Sequence, residues 1–370
     1  MHGCCQNGYG ISESGGIVVN ILLVKTSAIG DVTHTLPALN AIRKQYPHAH
    51  ISWLVEEAAK DVIMGHHSLD EVLVSKRKKW IKDFQSKKAF TAFKEMITFI
   101  RCLRNRKYDL VIDFQNLLKS SLFIALTRAK NKAGYGVGMA HSEYSYIVLD
   151  HRVPAVNMDY HAVYRELILI EKLGIPVKKI EFNLPVFESD RREIAYQLYQ
   201  NGALKQKPLI SINPMAKWHT KLWDLTKFSR VADQCSAWGF QVVFTGSQDD
   251  IDGVTEIQRM MKYDAINLCG KTSLKSLAAL YERSQILITT DTGPMHIAAS
   301  MGKPVVAIFG PTAPWRTGPF GNQHAVVRVD LPCSPCFKKY CDNHDCMKKI
   351  TVELVLDAVK KKLDVLLNEI

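Results

Sequence analysis

The sequence has no apolar run approaching the ~20 residues that a helix needs to cross a bilayer. The longest, residues 17–24 (IVVNILLV), is broken by Asn20 and reads as a buried strand. A secretory leader is missing too: residues 1–16 hold neither Lys nor Arg, so the charged start of a signal peptide is absent. That segment reads as a disordered leader, and the chain is expected to stay in the cytoplasm. Nine cysteines in 370 residues are too sparse for a secreted disulfide scaffold, and Cys4, Cys5, Cys102, Cys235 and Cys269 are scattered. The dinucleotide fingerprint G-x-G-x-x-G does not occur. Internal repeats are lacking as well. No helix-turn-helix, RNP or zinc-finger pattern appears, so nucleic acid is not an expected partner.

What is present suits a two-domain α/β protein. Hydrophobic residues make up 47% and charged residues 23%, enough for two cores in a chain of this length. The net charge of +12 points to an acidic partner. Short continuous apolar runs alternate with helical patterns, the signature of parallel sheets covered on both faces. NILLVK (20–25), ISWLV (51–55) and LVID (110–113) form a first series of strands; LISIN, QVVFTG, ILITT and VVAIFG form a second, from Pro208. The fold class expected is α/β, with two Rossmann-like domains facing across a cleft, spanning 17–180 and 181–350. Residues 351–370 form a terminal helix, with Val355, Val359, Leu363 and Leu366 on one face, expected to pack back on the N-terminal domain.

In such sheets ligands bind outside the carboxyl ends of the strands, so the loops there are the candidates. The first, 26–31 (TSAIGD), has Gly30 for a tight turn and Asp31 where the next helix begins. Asp31 is either a helix-terminal charge satisfying backbone N–H groups or a general base. In 291–296 (DTGPMH) a strand delivers Asp291, and Thr292 and Gly293 open a helix whose N–H groups suit a diphosphate. His296 lies on its first turn, with structural and functional readings both open. Lys217 and Lys221, in 213–223, are candidates for phosphate oxygens or are solvated loop lysines. Asp250 and Asp252 resemble a metal pair, but Asp250 reads better as a helix cap or a ribose acceptor.

Residues 76–107 carry twelve Lys or Arg against two acids, with Trp80, Phe84, Phe90, Phe93 and Phe99 interspersed. A solvated face is the plain reading; an anionic membrane surface suits this composition better. Cys333, Cys336, Cys341 and Cys346 cluster near His344. Their spacing matches no common zinc ribbon, so a structural metal and a set of reduced thiols both stay open.

At these loops the sequence resembles glycosyltransferase family 9, the ADP-heptose:lipopolysaccharide heptosyltransferases, over nearly all of residues 20–369. VKTSAIGDVTHTLPAL (24–39), TDTGPMHIAASMGKPVVAIFGPT (290–312) and the CSPC-containing tail carry the likeness; KRKKW (76–80), IDFQNLLKS (112–120) and HAVYR (161–165) look most like heptosyltransferase I. The resemblance implies a GT-B glycosyltransferase fold and inverting transfer of heptose from ADP-heptose to a Kdo residue of Kdo-lipid A at the inner leaflet of a Gram-negative inner membrane. It implies Asp31 as the catalytic base. Lys221, Asp250, Asp291, Thr292, Gly293 and His296 would bind the donor, in the C-terminal domain. Ser27, Gly30, Lys76, Arg77, Lys79, Gln115 and Lys119 would bind the acceptor, in the N-terminal one. No cofactor is required. Competing readings are another transfer of this family (heptosyltransferase II-like, or a different sugar donor), a nucleotide-sugar epimerase, and a non-catalytic lipopolysaccharide-binding protein.

Overall fold

The computed structural model describes residues 19–139, 143–204 and 207–368, so the expected leader, 1–16, lies outside them. The chain divides into two compact units, Met1–Pro185 and Val186–Ile370.

The first unit runs β1 (Asn20–Val24), α1 (Ile29–Gln45), β2 (His50–Glu56), β3 (Glu71–Ser75), α2 (Arg77–Phe84), α3 (Ala89–Asn105), β4 (Lys107–Asp113), α4 (Leu118–Leu126), β5 (Arg128–Tyr135), β6 (His151–Val153) and α5 (Ala162–Lys172). Its strands form one sheet in the order β3-β2-β1-β4-β5-β6, and every pairing is parallel. Ile21, Leu22, Leu23 and Val24 of β1 are all 0% exposed, and burying each contributes roughly 1.5–3 kcal/mol. Leu22 and Val24 enter a cluster with Leu54, Trp80, Phe99 and Phe123; Ile21 and Leu23 alternate to the opposite face.

The second unit runs α6 (Glu188–Gln200), β7 (Leu209–Asn213), α7 (Leu225–Ala237), β8 (Gln241–Phe244), α8 (Ile251–Met260), β9 (Ile266–Asn267), α9 (Leu274–Arg283), β10 (Ser284–Thr290), α10 (Gly293–Ser300), β11 (Val305–Ile308), α11 (Pro314–Thr317), β12 (Ala325–Val327), α12 (Asp345–Lys348) and α13 (Val352–Asn368). The strand order is β12-β11-β10-β7-β8-β9, again parallel throughout.

Both sheets reverse direction once. The first strand of each lies beside the fourth, β1 with β4 and β7 with β10. A chain that winds outward first one way and then the other leaves a crevice at that reversal, because the loops after the two central strands diverge. The loops following β1, β4, β7 and β10 therefore form the two ligand crevices, one in each unit.

Two expectations need correction. The terminal helix α13 packs within the second unit: Val352, Val355, Val359 and Leu363 join Ile210, Val231, Ile286 and Val306 in its core. Its apolar stripe lies against α7, β10, β11 and β12 and closes their side of the core. Gly30 also lies inside a helix and not in a turn, because α1 starts at Ile29, ahead of the Asp31 start expected from the sequence. Asp31 makes the early start possible by accepting the Ala28 N–H, one of the donors a helix start leaves unmatched.

Candidate active site

In the first crevice, the loop after β1 is fixed from below. Lys25 is buried, and its Nζ donates to Glu166 Oε1 at 2.6 Å and to the Phe114 carbonyl at 2.8 Å. Burial opposes charge on this ammonium, but the Glu166 contact outweighs it, with Asp31 adding to the effect, and the pKa is raised. Gln115 Oε1 accepts from Thr26 N, Thr26 Oγ1 and Ser27 N at 2.8, 2.9 and 3.0 Å. This places Gln115 beneath the loop as a support for its backbone. Asp31, half-buried, keeps Oδ2 on the Ala28 N–H at 2.8 Å. At the end of β4, Asp113 accepts from Gln115 N, Asn116 N and Ser120 Oγ; burial outweighs these bonds and pushes its pKa up to about 6.

Around this loop gather cations. Lys119 Nζ donates to Ser27 Oγ at 2.5 Å and lies 3.8 Å from Glu56 Oε1, which also takes Arg77 at 3.2 Å. Of the sequence candidates, Gln115 and Lys119 thus meet Ser27 on the loop before Gly30 and Asp31, and Arg77 joins Lys119 through Glu56. Lys79 is engaged elsewhere: its Nζ meets Glu95 at 2.7 Å and Asp83 at 3.9 Å, a tie between α2 and α3. Lys76 is exposed at the start of α2. Lys78 reaches Glu56 instead, at 3.3 Å. Lys78 lies within KRKKW, but the sequence does not pair it with Glu56, because nothing there shows that β2 ends facing α2.

In the second crevice, Lys221 Nζ lies 2.6 Å from Asp291 Oδ2 and 4.7 Å from the centre of the Trp218 ring. Asp291 Oδ2 also accepts from Thr312 Oγ1 at 2.6 Å, and the residue is 6% exposed. Asp291 therefore aims Lys221. Thr292 caps α10, and Gly293 opens it ahead of Pro294, which has no N–H. His296 sits on the first turn, 8% exposed. Asp250 spends Oδ2 on Ser247 N and Ser247 Oγ, both at 2.7 Å, closing the turn before α8. That oxygen serves the single turn before α8, and the Asp250 side chain makes no cap to α8 itself.

The cysteine loop packs against this crevice. Cys333 and Cys341 are exposed, Cys336 half-buried and Cys346 buried, and all four are free thiols. Thr220 Oγ1 donates to the Lys338 carbonyl at 2.8 Å, and His344 Nε2 meets the Thr220 carbonyl at 2.6 Å, so this nitrogen is the donor. Cys336 N and Phe337 N both donate to the Pro311 carbonyl. The loop thus buttresses Thr220, next to Lys221, and Pro311, next to Thr312. Among the described residues, no group of three or more His, Cys, Asp or Glu side chains is disposed to hold a metal ion.

The basic stretch is helical, as α2 and α3, and its aromatics divide. Trp80 and Phe99 belong to the core, at 5% and 8% exposed, whereas Phe84, Phe90 and Phe93 are 43%, 81% and 50% exposed. Among the described residues no helix is long and apolar enough to cross a membrane.

Comparison with known proteins agrees with this architecture. Glycosyltransferase family 9 (heptosyltransferase) matches residues 96–347. Lipopolysaccharide heptosyltransferase 1 of Pseudomonas aeruginosa is 27% identical over 325 residues, 87% of each chain. Lipooligosaccharide heptosyltransferase 2 of Campylobacter jejuni is also 27% identical, over 341 residues, covering 90% of this chain and 96% of that one. The structure of Escherichia coli heptosyltransferase WaaC with ADP superposes with a TM-score of 0.75 at 22% identity, covering 93% of this chain and all of that one (100%). The likeness in fold agrees with the two parallel-sheet α/β domains of the GT-B class. This chain is a glycosyltransferase and belongs to family 9, the heptosyltransferase family.

Proposed function

We propose that the enzyme transfers heptose from ADP-heptose, with inversion, to a Kdo residue of the lipopolysaccharide inner core. The observation that carries this reading is Asp31: a half-buried carboxylate at the reversal point of the first sheet, one oxygen held by the Ala28 N–H, with Lys119 reaching Ser27 of the loop that leads to it. As the acceptor hydroxyl attacks the anomeric carbon, its proton passes to Asp31. The bond from that carbon to the diphosphate oxygen breaks, and the electron pair leaves on ADP. Lys221 and the start of α10 then meet the growing negative charge, where stabilisation lowers the barrier most. The reaction so written uses no cofactor.

Relatives of types 1 and 2 match this chain equally well, so the acceptor is argued from the chain's own segments. KRKKW, IDFQNLLKS and HAVYR resemble type 1, and the first two supply Arg77, Gln115 and Lys119 of the crevice. Exposed Phe84, Phe90 and Phe93 among the lysines of α2 and α3 suit peripheral docking on an anionic leaflet, which brings a lipid-borne acceptor within reach. The test is ADP release from ADP-heptose with Kdo2-lipid A and, separately, with the same acceptor already carrying one heptose. Release with the first alone is expected. Release only with the second would assign the second transfer instead.

A further inference from the structure

We propose that Glu56 is a positioning residue that assembles Arg77, Lys78 and Lys119 into one cradle for an anionic group of the acceptor, a carboxylate or a phosphate. The inference rests on the reading of the first crevice as the acceptor site.

Glu56 ends β2, and its backbone N–H donates to the Thr26 carbonyl at 2.9 Å, so it is tied to the loop that carries Asp31. It is 3% exposed, yet its carboxylate meets three cations. Oε1 accepts from Arg77 Nη2 and Nε at 3.2 and 3.3 Å and has Lys119 Nζ at 3.8 Å. Oε2 is buried and accepts no hydrogen bond among the described residues; Lys78 Nζ stands 3.3 Å away. One carboxylate cannot neutralise three cations held this close, and even with Asp31 also acting on Lys119 the cluster keeps a net positive charge. Like charges gathered without compensation destabilise the folded chain unless a ligand answers them. Lys119 records the strain: burial lowers its pKa, Glu56 raises it, and Arg77 and Lys78 lower it further, with a net fall. Because Lys119 also reaches Ser27, an anion bound there sits next to the loop that presents Asp31.

Charge and geometry make opposite predictions for Glu56→Gln. On charge alone, removing a carboxylate leaves the site more positive and lowers the acceptor KM. On positioning, the three cations lose their common anchor, and the acceptor KM rises by about tenfold with kcat and the donor KM within about twofold. Glu56 also raises the Lys119 pKa, so in Glu56→Gln the alkaline limb of kcat/KM for the acceptor shifts to lower pH; loss of packing alone would not move it. Glu56→Asp, which keeps the charge, should recover part of the loss. Should Glu56→Gln fail to fold, Lys78→Met decides, since Lys78 is largely exposed; its acceptor KM should rise by severalfold. The assay is heptose transfer to Kdo2-lipid A. An unchanged or lowered acceptor KM in an enzyme that performs this transfer overturns the cradle alone. Absence of transfer by the wild type overturns the reading on which it rests.

Discussion

Lys221 Nζ and Asp291 Oδ2 lie 2.6 Å apart across the reversal point of the second sheet, one delivered by the loop after β7 and the other by the end of β10. Two loops distant in sequence therefore hold one ammonium at the start of α10. Lys221→Met should lower kcat by about 10²- to 10³-fold, the range seen when one transition-state donor is removed, and change the donor KM less. Steady-state kinetics with varied ADP-heptose checks this; kcat within about threefold of wild type would remove Lys221 from the leaving-group site.

Asp113 gives a pH signature of the fold. Burial raises its pKa from 3.8 to about 6 in the folded chain. The folded state then binds the proton more tightly than the unfolded state, so this contribution is full below about pH 3.8 and is lost as pH rises through about 6. A rise of that size corresponds to roughly 3 kcal/mol. His66 and His324, both held near 4 by burial, act in the opposite direction, their contribution being lost as pH falls below 6.5. The comparison to make is therefore wild type against Asp113→Asn by thermal unfolding from pH 4 to 7. The variant should gain stability relative to wild type as pH rises through 6; a constant difference would place the Asp113 pKa in the ordinary carboxylate range.

The exposed aromatics of α2 and α3 should act on membrane binding without acting on stability. Phe90 and Phe93 are exposed and stand outside the core cluster that contains Trp80 and Phe99. Replacing both Phe90 and Phe93 by Ser should weaken association with anionic vesicles by about tenfold or more and leave the Tm within about 1–2 °C. Sedimentation with vesicles at two salt concentrations measures it. Binding that is indifferent to both salt and the double substitution would place the docking surface elsewhere.

Much of this was legible in the sequence, for reasons that differ by element. β1, β7, β10 and β11 are almost wholly buried, so each appears as a short, mostly apolar run with few charged residues. β5, RAKNKAGY, is half-exposed and carries Arg128, Lys130 and Lys132, and β9 has only two residues; neither leaves an apolar signal. The stripe of α13 showed that one face is buried but carried no information about its partner. In the crevices, Asp31 and Asp291 stood in recognisable motifs, and Lys221 in a loop following a strand. Glu56 did not, and Lys78 stood in KRKKW without any sign of its partner, because their pairing depends on the end of β2 lying beside the first turn of α2. Lys79, one residue further along α2, points to Glu95 instead. A difference of one helical position separates the two roles.

The proposed transfer depends above all on Asp31 taking the proton of an acceptor hydroxyl. Acceptor-dependent ADP release by Asp31→Ala, measured with ADP-heptose and Kdo2-lipid A alongside the affinity for ADP, isolates that step. With Asp31 as the base, kcat should fall by about 10²- to 10⁴-fold, the usual worth of such a group, with ADP binding unchanged. Release within about threefold of wild type would show that another group accepts the proton, and the mechanism written here would be wrong.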